Sequence, residues 1–184
     1  MVEQRCLLSL AAVLAFSSAC SNNSAADSQQ DGTLSFNDGV YLETTSETSA
    51  NATLGDLDGD GDLDIVLAKG RHWPLLDIVL LNDGNGSFIE RHNTGDSADR
   101  TYTAALADLD EDDENDIVLG AVEAPSAVLV NNGDGLSFSI IQFGDSEGAV
   151  YGLAIGDVNR DGLPDIVTAR SGAPNMLYFN SGSR

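Results

Sequence analysis

Basic side chains are scarce in this chain. Lys and Arg together number 8 against 30 Asp and Glu, which gives a formal net charge of −22 and a pI near 4.1. Nucleic acid and anionic membrane surfaces both need basic patches, so neither is an expected partner. Cysteine is rarer still, at 2 residues. Cys6 lies in a leader-like segment, which leaves Cys20 without a partner for an intrachain disulfide in the mature chain. Histidine is limited to His72 and His92. There is no H-E-x-x-H, no G-x-S-x-G elbow and no phosphate-cradling P-loop. Aromatic content is low at 6%, while glycine reaches 19 residues, a balance that suits a turn-rich β protein. The apolar stretch from Leu7 to Phe16 is far short of the roughly 20 residues that span a bilayer.

That short stretch is instead the length of a signal-peptide core. It follows Arg5 and precedes Ser17-Ser18-Ala19-Cys20. Small residues before a cysteine at this distance resemble a bacterial lipoprotein cleavage box, although Ser17 stands where leucine is usual. The resemblance implies residues 1–19 as a signal peptide and Cys20 as a lipidated first residue. Ordinary cleavage after Ala19 is the alternative, and either route exports the protein. Residues 20–30 are polar and without periodicity, as in a flexible tether.

What the chain has in abundance is Asp-Gly loops. Asp56-Leu57-Asp58-Gly59-Asp60-Gly61-Asp62-Leu63-Asp64 runs directly into Ile65-Val66-Leu67. Carboxylates at positions 1, 3, 5 and 9 of such a loop can wrap one hard cation. Ca²⁺ takes six to eight oxygens at about 2.3–2.6 Å. Asp108, Asp110, Asp112 and Asp116 repeat the arrangement before Ile117-Val118-Leu119, and Asp157, Asn159, Asp161 and Asp165 repeat it before Ile166-Val167. The first ligands are about 50 residues apart, the signature of a repeat array. An EF-hand opens in the same way but needs a bidentate Glu at position 12 and flanking helices. Position 12 here is Leu67, Leu119 or Thr168, and β-branched apolar residues follow each loop, so a strand is expected instead.

Two further repeats frame the loops. Val79-Leu80-Leu81-Asn82-Asp83-Gly84 matches Val128-Leu129-Val130-Asn131-Asn132-Gly133, and Leu177-Tyr178-Phe179-Asn180-Ser181-Gly182 begins a third copy. Such turns need positive φ and signal hairpins. Tyr102 and Tyr151 each stand six residues before a first loop carboxylate. Each unit therefore predicts strand, cation loop, strand, connection, strand, turn and strand, which is one four-stranded propeller blade. Residues 31–184 would be three such blades in an all-β, propeller-type fold.

These units resemble FG-GAP/VCBS repeats, the family that includes the blades of integrin α-subunit propellers and many bacterial surface proteins. The likeness covers roughly residues 30–184. It implies Ca²⁺ held at positions 1, 3, 5 and 9, with the backbone carbonyl of position 7 as a further ligand; position 7 is Asp62, Glu114 and Leu163. The second loop departs from the pattern with Asp113 where Gly61 and Gly162 stand, and the third offers the neutral Asn159. Gln30 to Phe36 aligns with Asn82 to Phe88, so a last-blade strand is expected at the start, as in propellers whose N-terminal strand completes the C-terminal blade. Three blades fall below the usual 4–8. A piece of a longer propeller, chains associating to complete a ring, and an open array all fit.

The function these features imply is an exported, calcium-binding repeat module. It would serve as a binding or scaffold domain on a bacterial envelope, anchored at the outer membrane through Cys20 and facing the periplasm or the surface. Its partners would be calcium ions and a glycan or protein ligand. The alternative is an extracellular carbohydrate-active enzyme, its accessory domain, or a truncated propeller. Paired carboxylates could suggest glycosidase chemistry, but their repeated spacing fits cation ligands, so no catalytic residue is assigned. Arg71-His72-Trp73-Pro74 is inserted in the first blade. Trp73 reads as packing between blades, with a ligand-stacking platform as the alternative.

Overall fold

The computed structural model describes residues 34–92 and 98–182. The signal-peptide, Cys20 and tether expectations lie outside the described residues. The chain divides into the units Met1–Gly39 and Val40–Arg184. Within the first, residues 34–39 carry no strand, so the expected N-terminal strand is not formed over Leu34-Ser35-Phe36. Both Leu34 and Phe36 are exposed. A lone extended segment has no ladder to satisfy its backbone groups and needs a sheet edge to become a strand.

The second unit is all-β, with no helix among the described residues. Three antiparallel sheets follow one another along the chain. The first contains β1 (Ser49–Gly55), β2 (Asp64–Lys69), β3 (Ile78–Asn82) and β4 (Phe88–His92). The second contains β5 (Thr101–Ala107), β6 (Asp116–Ala121), β7 (Ser126–Asn131) and β8 (Phe138–Phe143). The third contains β9 (Ala149–Gly156), β10 (Asp165–Ser171) and β11 (Met176–Tyr178). Each sheet is a simple meander in which every strand pairs with the next in sequence. The two complete sheets are the four-stranded blades expected; the third shows three strands among the described residues.

The period-2 alternation of the second strands explains how the blades stack. Val66 and Ala68 face the second blade and meet Ile117, Leu119 and Ala104, with Leu129 closing the layer. Ile65 and Leu67 point the other way, together with Ile78 and Leu80. Val118 and Val128, on the far side of the second blade, pack against Ile166 of the third. The second strands of the first two blades are apolar on both faces because both of their faces are covered, so they read as continuous apolar runs, whereas Val167 of the third is exposed. The leading face of blade 1 is covered by a strap, residues 42–48. Leu42 packs on the Ile65 cluster, Gly70 N donates to Thr48 O at 3.0 Å, and Lys69 reaches Glu43 and Glu47.

The first strand of each sheet lies against the next, β1 beside β5 and β5 beside β9, without joining them into one sheet. All three carry a bulge at the same place. The residues skipped by the pairing are Ala50, Tyr102 and Tyr151. A bulge inserts one unpaired residue and redirects its side chain.

Candidate metal centre

Each loop is built by its own carboxylates before any ion is considered. In the first, Asp56 accepts from Gly59 N at 2.8 Å and Gly61 N at 3.0 Å, Asp58 from Asp60 N at 3.3 Å, and Asp60 from Asp62 N at 2.9 Å. In the second, Asp108 accepts from Asp112 N and Asp113 N, and Asp112 from Glu114 N. In the third, Asp157 accepts from Arg160 N, Asp161 N and Gly162 N, and Asp161 accepts from Leu163 N and from the Asn159 side chain. These turns pull the chain into a tight coil that requires positive φ at positions 4 and 6. Gly59 and Gly61 adopt it at 74° and 90°, while Glu111, Asp113 and Arg160 are forced into it at 62°, 69° and 67°. Strain at Asp113 was legible from its missing glycine; strain at position 4 was not.

Position 9 does a second job. Asp64 is fully buried and accepts from Leu57 N at 2.7 Å and from Asn82 N at 2.9 Å. Asp116 does the same for Leu109 N and Asn131 N, and Asp165 for Val158 N and Asn180 N. One carboxylate thus ties the loop's second residue to the end of the third strand. The asparagine at that end carries the tie further. Asn131 Nδ2 donates to Leu57 O of the preceding blade at 2.7 Å, and Asn180 Nδ2 to Leu109 O at 2.7 Å. Asn115 adds a bond to Asp56 O at 2.8 Å. In the sequence Asn131 and Asn180 read as turn formers only; their recurrence at one register position was the available signal.

The fold brings Asp56, Asp58 and Asp64 together so that one oxygen from each lies within 4.8 Å of the others, and it does the same for Asp108, Asp110 and Asp112. Asp60 and Asp62 complete the first coil but stand outside that triplet. The Asp62 carboxylate lies instead against Gly84, where a Cβ would stand 2.6 Å from one of its oxygens. Glu114 leans toward the first loop, its carboxylate 3.6 and 3.7 Å from where a Gly59 side chain would begin. Asp157, Asn159, Asp161, Leu163 and Asp165 form the equivalent third coil, with Asp165 buried and the others nearer solvent. Burial pushes the Asp58 carboxyl above its ordinary value, and the charges of Asp64, Asp60 and Asp56 add to this. Burial also raises Asp116, helped by Asp110 and Asp112 and opposed by the Asn131 and Leu109 amides. Crowded carboxylates held at fixed distances and lacking nitrogen or sulfur neighbours are a donor set for a hard divalent cation.

Strands lead into and out of each of these loops, and the loops recur once per sheet. The profile of the FG-GAP-like repeat matches residues 11–67 and 108–168. The chain belongs to the FG-GAP-like repeat family. No curated protein matches the chain. The second match opens on Asp108, the first carboxylate of the second loop, and closes within β10, so it runs from one loop through the next and crosses from the second sheet into the third.

Trp73 departs from its expected role. It is 72% exposed, so it does not pack between blades. The connection that carries it, between β2 and β3, spans residues 70–77, whereas those of the other repeats span 122–125 and 172–175. The extra length projects the indole outward. Leu75 and Asp99 exchange backbone hydrogen bonds at 3.1 and 3.2 Å and fasten the insert beside β5. Gly70 makes the turn possible at φ 86°, where a Cβ would fall 2.4 Å from Asp99 O.

Proposed function

We propose that this protein is an exported, calcium-stabilised repeat module that acts by binding rather than by catalysis, tethered to a bacterial envelope through Cys20. The observation that carries the reading is the repeated all-oxygen coil, with carboxylates already gathered in the first and second loops. Ca²⁺ in the first loop would draw on Asp56, Asp58, Asp60 and Asp64, with the Asp62 carbonyl behind them. The second would use Asp108, Asp110, Asp112 and Asp116, with the Glu114 carbonyl. The third would use Asp157, Asn159, Asp161 and Asp165, with the Leu163 carbonyl. A bound cation supplies charge neutralisation and fixes each coil against its sheet. Fifteen of the 30 acidic residues lie in these loops, so ion binding would relieve much of the net repulsion.

Thermal unfolding in millimolar Ca²⁺ and in EDTA tests the proposal. A ligand that binds only the folded state stabilises by about 2.7 kcal/mol per site at 100 times its Kd. A large rise in Tm with Ca²⁺ is expected, reduced in Asp56→Ala. An unchanged, cooperative melt in EDTA would remove the calcium assignment and leave the loops as self-bonded turns. Metabolic labelling with palmitate, lost in Cys20→Ser, tests the anchor independently.

A further inference from the structure

The three bulges put their extra residues in one place. Ala50, Tyr102 and Tyr151 line a single recess of about 260 Å³ with Ser49 and Arg71. It opens where the first strands begin, at the end opposite the metal loops. A strand of seven or eight residues separates the two by roughly 20 Å at about 3.3 Å per residue. The repeat would place an aromatic ring here in every blade. Blade 1 has Ala50 instead, and the inserted turn of the same blade brings Arg71 in. Its guanidinium lies 5.7 Å from the centre of the Tyr102 ring, and the Tyr102 and Tyr151 rings meet edge to face at 4.6 Å.

Of the described cations, Arg71 and Arg160 are in no ion pair, and Arg71 is the one set against an aromatic ring. Lys69 is paired with Glu43 and Glu47, Arg100 with Glu123 and Arg170 with Asp145. Among the described residues no carboxylate pairs with Arg71, even though acidic groups outnumber basic ones 30 to 8. The Arg71 guanidinium lies over the Tyr102 ring and acts on the Tyr102 hydroxyl, and its remaining N–H donors match a carboxylate. The tyrosine hydroxyls and Ser49 add neutral donors and acceptors around it. Trp73 stands two residues along the same turn with its face in solvent. Flat aromatic faces and hydroxyls beside one cation suit a sugar ring bearing an acid group. The lining residues offer no apolar pocket for a peptide side chain.

We propose that Arg71, Tyr102 and Tyr151, with Trp73 at the rim, form a binding site for a carboxylated sugar, one uronate residue filling the recess. The carboxylate sits on the Arg71 guanidinium, the hydroxyls meet Tyr102, Tyr151 and Ser49, and the neighbouring sugar stacks on Trp73. The site does not depend on the metal loops being filled.

The chain has 1 tryptophan, so emission excited at 295 nm reports on Trp73 alone. Trigalacturonate, titrated into the full chain in Ca²⁺, is expected to change that emission saturably, and neutral galactotriose is not. Arg71→Gln should weaken binding at least tenfold, Arg71→Lys should fall between, and Tyr102→Phe should weaken it about threefold. Arg160→Gln, in the third loop at the opposite end of its sheet, should change nothing. Equal responses to the neutral sugar, or an unchanged affinity in Arg71→Gln, would overturn the proposal. A response to triglutamate but not to trigalacturonate would overturn it in favour of an acidic peptide. A Tm that ignores Ca²⁺ alongside an intact titration would refute only the metal reading, and the converse result would refute only this one.

Discussion

At the scale of single residues, the loops owe their shape to backbone strain as much as to charge. Glu111 and Asp113 both occupy the left-handed region, which costs an L-residue roughly 1–2 kcal/mol, less for Asp. Glu111→Gly removes that strain at some cost in unfolded-state entropy. A net gain of up to about 1 kcal/mol is expected, read as a shift in urea midpoint. Asp77 offers a second measurable effect. It is only 6% exposed and accepts from Lys69 N and Thr101 Oγ1. Burial raises its carboxyl to about 6, with Asp99 adding to the rise and the two donors and the Lys69 charge opposing it. Because the folded value lies above the ordinary 3.8, the folded state holds its proton longer, and stability falls as pH rises from about 4 through about 6. The loss corresponds to about 3 kcal/mol at most. Asp77→Asn should match the wild type near pH 4 and exceed it at pH 7, checked by chemical denaturation at both.

The elements were the most legible level. The strand after each loop was plain from Ile65-Val66-Leu67 and its counterparts, because residues buried on both faces leave an unbroken apolar run. The Asn-Gly and Asp-Gly turns after Asn82 and Asn131 likewise fixed two hairpins. The bulges at Tyr102 and Tyr151 were visible only as recurring tyrosines, since an extra residue in one strand has no sequence mark until its partner is known. The strap was not legible at all. Glu43 and Glu47 look like surface acids until Lys69 is found beneath them with its side chain fully buried. Burial pulls the Lys69 ammonium down, yet the two carboxylates outweigh this and hold it above its ordinary value. Lys69→Ala leaves a void under the strap and takes the buried cation away from Glu43 and Glu47. Its expected cost is about 3 kcal/mol. Lys69→Met fills the space and should cost clearly less, and guanidinium unfolding of the two variants would separate charge from volume.

Across the whole molecule, one position shows how the blades depend on each other. Leu57 and Val158 hold the same place in their loops, yet Leu57 is 0% exposed beneath the second blade and Val158 is 55% exposed. Leu57→Ala is expected to cost about 2–5 kcal/mol, whereas Val158→Ala should change stability by less than about 0.5 kcal/mol. Denaturant curves for the two variants would show whether burial between blades, rather than the loop itself, carries the difference. Composition could not anticipate this, because the residues are near-equivalents and only the stacking order distinguishes them.

The asparagine ties between blades have a directional consequence. Asn131 grips the first loop and Asn180 the second, each from the blade that follows; among the described residues, no asparagine reaches Val158 O. Each loop is thus latched by its successor, and stability in such an array is a sum of nearest-neighbour terms. Local opening should spread backward along the chain. Amide exchange would be fastest in the third loop, slower in the second and slowest in the first, although all three share one ligand spacing.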